Sequence, residues 1–352
     1  MEILTVTPMI SIRPNRISCT QLVRRIRTGN FASADAGSEQ PRPAVASQPR
    51  AVPVQKPKLV KVFHNFEISK NSARNLKDKI QYLFQFAKSR KIKTYNGKVI
   101  PNFKVCFLTL TLPAPQVHNT AEITKDCLDA FLQVLRQRLS LKNYVWRMEF
   151  QANGNVHYHI ATDVYIDYYF ARKHWNAILE SKGYVSAFAE KMMKLSYTDY
   201  ARRFNPTGQI SPDILYKRYV RGRAERWRNP NTVDVKNAKS SDNIASYISK
   251  YFSKKEKKAS KNPLDNEDNS FALRLCFWSR SLSKCKAESM PADYYAPDLV
   301  TYFERDASVL RCVFDYCRVY YYAFNQINVG LRAWLGEYFR LFMRAIEYEP
   351  AT

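Results

Sequence analysis

The feature that most constrains the fold of this chain is a pair of alternating segments on either side of a turn sequence. YVWRMEF (144–150) and VHYHIAT (156–162) have the alternation of half-buried β-strands. Asn153-Gly154 lies between them and is typical of a tight turn. The sequence therefore predicts an antiparallel β-hairpin.

The length of the hairpin loop decides which side chains face each other. A loop of three residues, from Ala152 to a left-handed Gly154, would place Glu149 directly opposite His157. A two-residue loop would pair Glu149 with Tyr158 instead and turn the carboxylate to the other face, because a shift of one residue flips every side chain. We expect the three-residue loop.

The segments around the hairpin have strand or helix periodicity. FLTLTLP (107–113) and FALRLCFW (271–278) are typical of strands. Apolar residues at three- and four-residue spacing predict helices at 69–90, 122–141, 168–182, 187–203, 212–227, from Asp242 onward and at 330–348. This order favours an α+β fold, in which an antiparallel sheet of about five strands is flanked by helices.

Composition divides the chain into three parts. Residues 1–58 are rich in Ser, Ala, Pro and Arg and carry nine basic residues against three acids, which predicts a disordered basic arm. The first thirty residues also resemble an organelle presequence, and this alternative stays open. We expect residues 59–288 to form the main domain and residues 289–352 a helical, aromatic-rich extension.

The charge of the chain points to a polyanionic partner. Lys and Arg number 56 against 31 acids, a net charge of +25, and nucleic acid is the first expectation. The helix at 212–227 is the most basic, and Trp227 either stacks on bases or packs in the core. The candidate DNA-binding residues are Lys217, Arg218, Arg221, Arg223, Arg226 and Trp227.

The sequence argues against a membrane protein and against a disulfide framework. It contains no run of about 18 apolar residues, so nothing is expected to span a membrane. Its seven cysteines are scattered and include no CxxC pair, which also disfavours a structural zinc site. A reducing compartment, the cytoplasm, is the expected location.

His157-Tyr158-His159 puts two imidazoles on one face of a strand, because side chains two residues apart project the same way. With Glu149 opposite, they form a set of two histidines and one carboxylate. Such a set suits Mg²⁺ or Mn²⁺ with open positions for phosphate oxygens, although imidazoles also accept Zn²⁺. The alternative is that both histidines are simply half-buried polar residues.

The segment DNIASYISKYFSKK (242–255) combines hydroxyls and cations on one predicted helix. Tyr247 and Tyr251 are four residues apart, and Lys250 and Lys254 each follow a tyrosine by three. One interpretation makes a tyrosine the nucleophile on a metal-polarised phosphodiester, with a lysine lowering the cost of the developing charge. The other packs the tyrosines in the core and leaves the lysines in solvent.

The order of FLTLTLP, Glu149 with His157-Tyr158-His159, and YISKYFSK (247–254) resembles motifs I, II and III of the HUH endonuclease superfamily. The resemblance covers about residues 68–285, and the paired tyrosines resemble the two-tyrosine replication initiators of small single-stranded DNA phages. It implies an HUH/RRM-like sheet, a divalent cation held by the histidines, and a tyrosine that stays on the 5′ phosphate while the 3′ hydroxyl primes synthesis. Tyr247 with Lys250 and Tyr251 with Lys254 fit the nucleophile equally well, and we rank Tyr247 first.

The implied partners are single-stranded DNA at a replication origin and a host DNA polymerase. The sequence contains no GxxxxGK[ST] phosphate loop, so we also expect a separate host helicase and a bacterial host. A relaxase or single-strand transposase would share the chemistry. A non-catalytic basic protein would bind nucleic acid in a salt-sensitive way without forming an adduct. The sequence does not predict the oligomeric state.

Overall fold

The computed structural model describes residues 2–27, 68–238, 275–287, 290–291, 299–314 and 317–351. Within these ranges the chain forms three antiparallel sheets. The strands are β1 Glu2–Arg13, β2 Arg16–Arg27, β3 Arg90–Lys93, β4 Val99–Phe103, β5 Val105–Thr111, β6 Tyr144–Phe150, β7 Val156–Thr162, β8 Val233–Ala238, β9 Cys276–Trp278, β10 Met290–Pro291, β11 Leu310–Phe314 and β12 Cys317–Tyr321.

Most described helices lie close to the positions predicted from apolar spacing, with two differences in detail. A π-helical segment, Ile123–Leu128, joins α2 to α3, and the single helix expected at 187–203 is split into α5 and α6, where the Ser196 hydroxyl caps α6. The helices at Arg280–Lys284 and Leu299–Arg305 were not predicted, and the helix expected from Asp242 onward lies outside the described residues. The helices are α1 Lys70–Phe86, α2 Thr120–Glu122, α3 Asp129–Leu139, α4 Tyr168–Glu180, α5 Tyr184–Met193, α6 Tyr197–Phe204, α7 Pro212–Ala224, α8 Arg280–Lys284, α9 Leu299–Arg305 and α10 Val329–Ala345.

The predicted hairpin lies inside a five-stranded antiparallel sheet with the order β8-β5-β7-β6-β9, which we call the central sheet. Alternate residues of each strand face opposite sides. On one side Trp146 and Tyr158 pack against Phe131 of α3 and Trp175 of α4. The other side is partly covered by α1 and partly open, and the open part carries the histidines. The α+β fold predicted from the sequence is confirmed.

A second five-stranded sheet, with the order β10-β1-β2-β12-β11, joins the two ends of the chain. The prediction of a disordered arm is wrong for residues 2–27, which form the β1–β2 hairpin; residues 28–58 lie outside the described residues. Ile10, Ile12 and Ile17 are buried in the core with α1 and Tyr320. The Ser- and Pro-rich composition of residues 1–58 taken together hid this short apolar pattern.

The C-terminal part is only partly helical. Helices α9 and α10 fit the expected extension, but β11 and β12 lie between them, and β12 pairs with β2. The first and last of the three predicted parts therefore share one sheet. Of the described helices, none is long and apolar enough to cross a bilayer.

Candidate metal centre and its surroundings

The β6–β7 hairpin has the three-residue loop expected from the sequence. Gln151 donates its backbone N–H to the Asn155 carbonyl, and Gly154 has a φ of 82°. Glu149 pairs with His157 in the register, as predicted. Because the loop is closed by backbone hydrogen bonds and a left-handed glycine, the carboxylate and both imidazoles lie on the same face of the central sheet.

The loop that follows β5 clamps this hairpin from the side. Gln116 donates its backbone N–H to Asn155 Oδ1 at 2.9 Å, and Asn155 Nδ2 donates to the Ala114 carbonyl at 2.8 Å. Gln116 Oε1 in turn accepts the backbone N–H of Val156 at 2.9 Å. Asn155 is 3% exposed, so these hydrogen bonds replace those it would make to water. The start of β7, and with it His157, is fixed by side chains from another loop.

The two imidazole rings are neighbours, with centroids 4.5 Å apart. His159 Nε2 lies 3.5 Å from Glu149 Oε2, and His159 Nδ1 lies 3.2 Å from Thr109 Oγ1. His157 Nδ1 lies 3.1 Å from Gln151 Nε2. Although Glu149 is opposite His157 in the register, its carboxylate therefore points toward His159. Hydrogen-bonding groups next to imidazoles orient the rings in known metal sites.

Burial and charge determine the protonation states in this site. Burial lowers the pKa of His157 to about 4, and the neighbouring His159 adds to this, so the His157 imidazole is neutral at neutral pH. Burial alone would raise the pKa of Glu149, but the hydrogen bond from His159 and the positive charge near the carboxylate, that of Arg147 included, together lower it. Arg147, 3% exposed, has its Nε 3.7 Å from Glu149 Oε1. An imidazole binds a metal ion in its neutral form, and a carboxyl group does so in its ionised form.

The donor chemistry of the site fits a divalent cation, but the side chains do not converge on one point. No three His, Cys, Asp or Glu side chains in the described ranges are grouped closely enough to hold a metal ion. Glu149 Oε1 is nevertheless buried without a hydrogen-bond partner among the described residues. A buried carboxylate oxygen without a hydrogen bond is costly unless cations lie near it; Arg147 is one such cation, and a bound divalent cation would be another. The residues that would hold Mg²⁺ or Mn²⁺ are His157, His159 and Glu149.

A cavity of about 310 Å³ opens beside the histidines. Its far wall is the edge strand β8, where Asp234 pairs with Thr109 and Thr109 pairs in turn with His159. Lys236 Nζ lies 3.4 Å from Asp234 Oδ2, and both side chains are more than half exposed. Asp234 and Lys236 were not among the site residues predicted from the sequence. The alternation in VDVK (233–236) indicates a strand, but it does not show with which strand of the sheet this segment pairs.

The tyrosine motif cannot be positioned from the structure, since Tyr247, Lys250, Tyr251 and Lys254 lie outside the described residues. Tyr247 comes nine residues after Ala238, the last residue of β8. Nine residues span at most roughly 30 Å, and β8 lines the cavity. Chain connectivity therefore allows a motif tyrosine to reach the histidines, and its role stays a prediction.

The predicted basic helix is present as α7, and its cations differ in their surroundings. Arg223 donates to the Met193 carbonyl at 2.7 Å, and Arg221 Nε lies 3.9 Å from Glu225. Lys217 and Arg218 on the helix are exposed, as is Arg226, which lies just after its end. Helix α7 thus offers phosphate-binding side chains on a surface, and contact with DNA stays a prediction.

Trp227 packs inside the small core that joins α5, α6 and α7. Its ring covers Gly222 and lies 5.4 Å from the ring of Tyr200, centroid to centroid. The buried residues of this core are Met192, Tyr200 and Leu215, and Trp227 packs against them. Of the two alternatives for Trp227, core packing is the arrangement found.

Residues 105–256 match the model of a family of replication-associated proteins, the ORF2 family. The matched range covers less than half of the chain and includes Glu149, both histidines, α7 and both motif tyrosines. No curated protein and no solved structure matches the chain. The match indicates a replication-associated function for this part of the chain.

Proposed function

We propose that this protein initiates rolling-circle replication by cutting and rejoining single-stranded DNA through a phosphotyrosine intermediate. The observation that carries the proposal is Glu149 held beside His157 and His159 at an open cavity, within the range similar to replication-associated proteins. That similarity favours an initiator over a relaxase or a transposase, which would use the same chemistry.

Different residues at and near the cavity would bind the metal ion, orient the imidazole rings and bind phosphate. His157, His159 and Glu149 would hold Mg²⁺ or Mn²⁺, which supplies Lewis-acid polarisation of the scissile phosphate when bound. Thr109 and Gln151 keep the imidazole rings oriented through their hydrogen bonds to Nδ1. Lys236, which lines the same cavity from β8, two strands from the histidines, is suited to a neighbouring phosphate of the same DNA strand, since a lysine ammonium binds phosphate as a point charge.

The cleavage step exchanges one phosphate ester for another. The hydroxyl oxygen of Tyr247, or of Tyr251, attacks phosphorus and loses its proton, while the bond from phosphorus to the 3′ oxygen breaks and that oxygen gains a proton. Lys250 or Lys254 lowers the cost of the tyrosinate charge. The second tyrosine can repeat the exchange on another strand, so rejoining needs no ATP.

The contacts to DNA would extend beyond the cavity. The exposed cations of α7 supply phosphate contacts, and the small core beneath them holds the helix in place. Single-stranded DNA at a replication origin is the proposed substrate. The proposed protein partners are a host helicase and a host DNA polymerase, and the proposed location is the cytoplasm of a bacterial host.

The test is a search for covalent protein–DNA adducts. The full chain is incubated with Mn²⁺ and single-stranded oligonucleotides that tile its own replicon, and adducts are detected by denaturing electrophoresis. We expect a metal-dependent adduct that disappears in the Tyr247→Phe, Tyr251→Phe double variant and persists in Tyr95→Phe, which changes a tyrosine that is 89% exposed. The two single variants rank the nucleophiles.

The opposite outcome is equally informative. If no adduct forms with any oligonucleotide while binding stays intact, the chain is a non-catalytic nucleic-acid-binding protein. If the double variant still forms the adduct, the nucleophile is a residue other than Tyr247 and Tyr251.

A further inference from the structure

Large apolar side chains are concentrated on the outermost strand of the second sheet. On β11, Leu310 is 64% exposed, Val313 61% and Phe314 58%. One edge of β11 pairs with β12, and no described strand pairs with its other edge. An exposed apolar sheet edge is a template for pairing with another strand.

The other described edges of the central and second sheets are shorter than β11 or carry more charge; β9, for example, has only three residues. Natural sheets protect their edges with charged residues, prolines or short strands. Strand β8 carries Asp234 and Lys236, and β10 has two residues and ends at Pro291. Strand β11 has five residues with the sequence LRCVF, of which one is charged. Its composition is that of an interface strand.

The sequence of β11 is complementary to itself in antiparallel orientation. A two-fold axis through Cys312 pairs all five residues with those of a second copy. Leu310 then faces Phe314 of the copy, and Arg311 faces Val313, so no like charges oppose each other. Leu310, Cys312 and Phe314 share one face of the strand, where the apolar pairs would lie together.

We propose that two copies of this chain associate through antiparallel pairing of their β11 edges, with the two-fold axis at Cys312. The two five-stranded sheets join into one of ten strands, and the exposed Leu310 and Phe314 side chains become buried against each other. This interface is independent of the chemistry proposed for the central sheet. It brings two copies of the histidine site into one particle.

Charge changes at Val313 test the register. In the dimer Val313 faces Arg311 of the other copy, so Val313→Lys creates two repulsive pairs between the copies and Val313→Glu two attractive ones, besides the pair that either change makes with Arg318 of its own chain. By sedimentation velocity over a concentration series, we expect a concentration-dependent dimer for the unmodified chain. Its dissociation constant should rise at least tenfold in Val313→Lys and stay the same or fall in Val313→Glu. Both changes are at an exposed position, and thermal melts of the two variants check that they fold alike.

Thiol cross-linking gives a second measurement. Directly opposed residues of antiparallel strands have Cα atoms about 4.5–5.5 Å apart, a distance that a disulfide spans. Mild oxidation should therefore cross-link the dimer, and Cys312→Ser should abolish the product while Cys317→Ser, on the neighbouring strand, keeps it. A chain that stays monomeric at every concentration, equal effects of the two Val313 variants, or cross-linking that survives Cys312→Ser would each overturn the proposal. The adduct assay is scored separately, so a failed dimer leaves the proposed cleavage untouched.

Discussion

Glu149 connects the folding of the hairpin to the chemistry proposed for it. The three-residue loop turns its carboxylate to the histidine face, where Arg147 lies on one side and His159 on the other. Burial destabilises the ionised form of this carboxylate, and the cations and hydrogen-bond donors around it stabilise that form. The same arrangement that costs stability gives a carboxylate that is ionised at neutral pH.

Replacing Glu149 by Gln should separate metal binding from folding. Without the carboxylate, the buried Arg147 loses a counter-charge, and we expect the free energy of unfolding to fall by about 1–3 kcal/mol. We also expect Mn²⁺ to raise the melting temperature of the unmodified chain by binding only the folded state, and most of that shift to be lost in the variant. Thermal melts with and without Mn²⁺ measure both.

The matched control for this change is Glu122→Gln, which neutralises an exposed carboxylate on α2. It should leave both the melting temperature and the Mn²⁺ shift unchanged. An equal Mn²⁺ shift in the Glu149→Gln variant and the unmodified chain would remove Glu149 from the metal site.

At the scale of single elements, the C-terminal end of the basic helix α7 is held by the packing of Trp227 against the helix. Arg226 and Trp227 both have positive φ, 51° and 53°, which turns the chain sharply at the end of the helix. The backbone N–H of Trp227 donates to the Gly222 carbonyl at 2.8 Å, and the ring lies over Gly222. Glycine is required there because the ring occupies the space of a side chain.

Gly222→Ala should therefore damage the unit formed by α5, α6 and α7. A Cβ at this position would lie 2.3 Å from the Trp227 ring, so the ring or the helix must move. We expect a loss of about 1–3 kcal/mol in unfolding free energy, as for other overpacked cores, with a red-shifted tryptophan emission.

Gly336→Ala in α10 is the matched control, since its Cβ would meet nothing closer than 3.9 Å. It should stabilise the protein by about 0.4–1 kcal/mol through the smaller entropy of the unfolded chain. If Gly222→Ala behaved in the same way, the packing described for Trp227 would be wrong.

At the scale of the whole molecule, the two ends of the chain hold one another in place. The β1–β2 hairpin pairs with β12, and its turn is fixed to α1, where Arg16 donates to Asp78 at 3.0 Å and Arg13 Nε lies 3.4 Å from the same carboxylate. These three side chains are largely shielded from solvent, so their charges are screened less than those of a surface pair.

Asp78→Ala should loosen this connection. Two partly buried guanidinium groups lose their counter-charge, and we expect the unfolding free energy to fall by about 1–3 kcal/mol, with faster cleavage of the β1–β2 hairpin in limited proteolysis. Asp126→Ala, which removes the more exposed pair with Lys182, is the control and should cost less stability than Asp78→Ala. Equal proteolysis rates in the two variants would show that the hairpin is held by strand pairing alone.

The sequence by itself determined the β6–β7 hairpin, its register and most helix positions. These depend on local geometry: strands repeat every two residues and helices every 3.6, and a left-handed glycine closes only certain loops. For this reason the pairing of Glu149 with His157 was predictable from the residues between them. The roles of His157, His159 and the motif tyrosines came from the order of the motifs and remain proposals.

Only the tertiary structure decided which distant segments meet. Nothing local to β1 and β2 indicates that β12, near the other end of the chain, completes their sheet, because strand pairing depends on which edges the rest of the fold leaves available. In the same way, packing brought Asp234 and Lys236 to the cavity, turned Glu149 toward His159 and placed Trp227 over Gly222. Local periodicity determines on which face of a strand or helix a side chain lies. The residues that pack against that face depend on the fold of the whole chain.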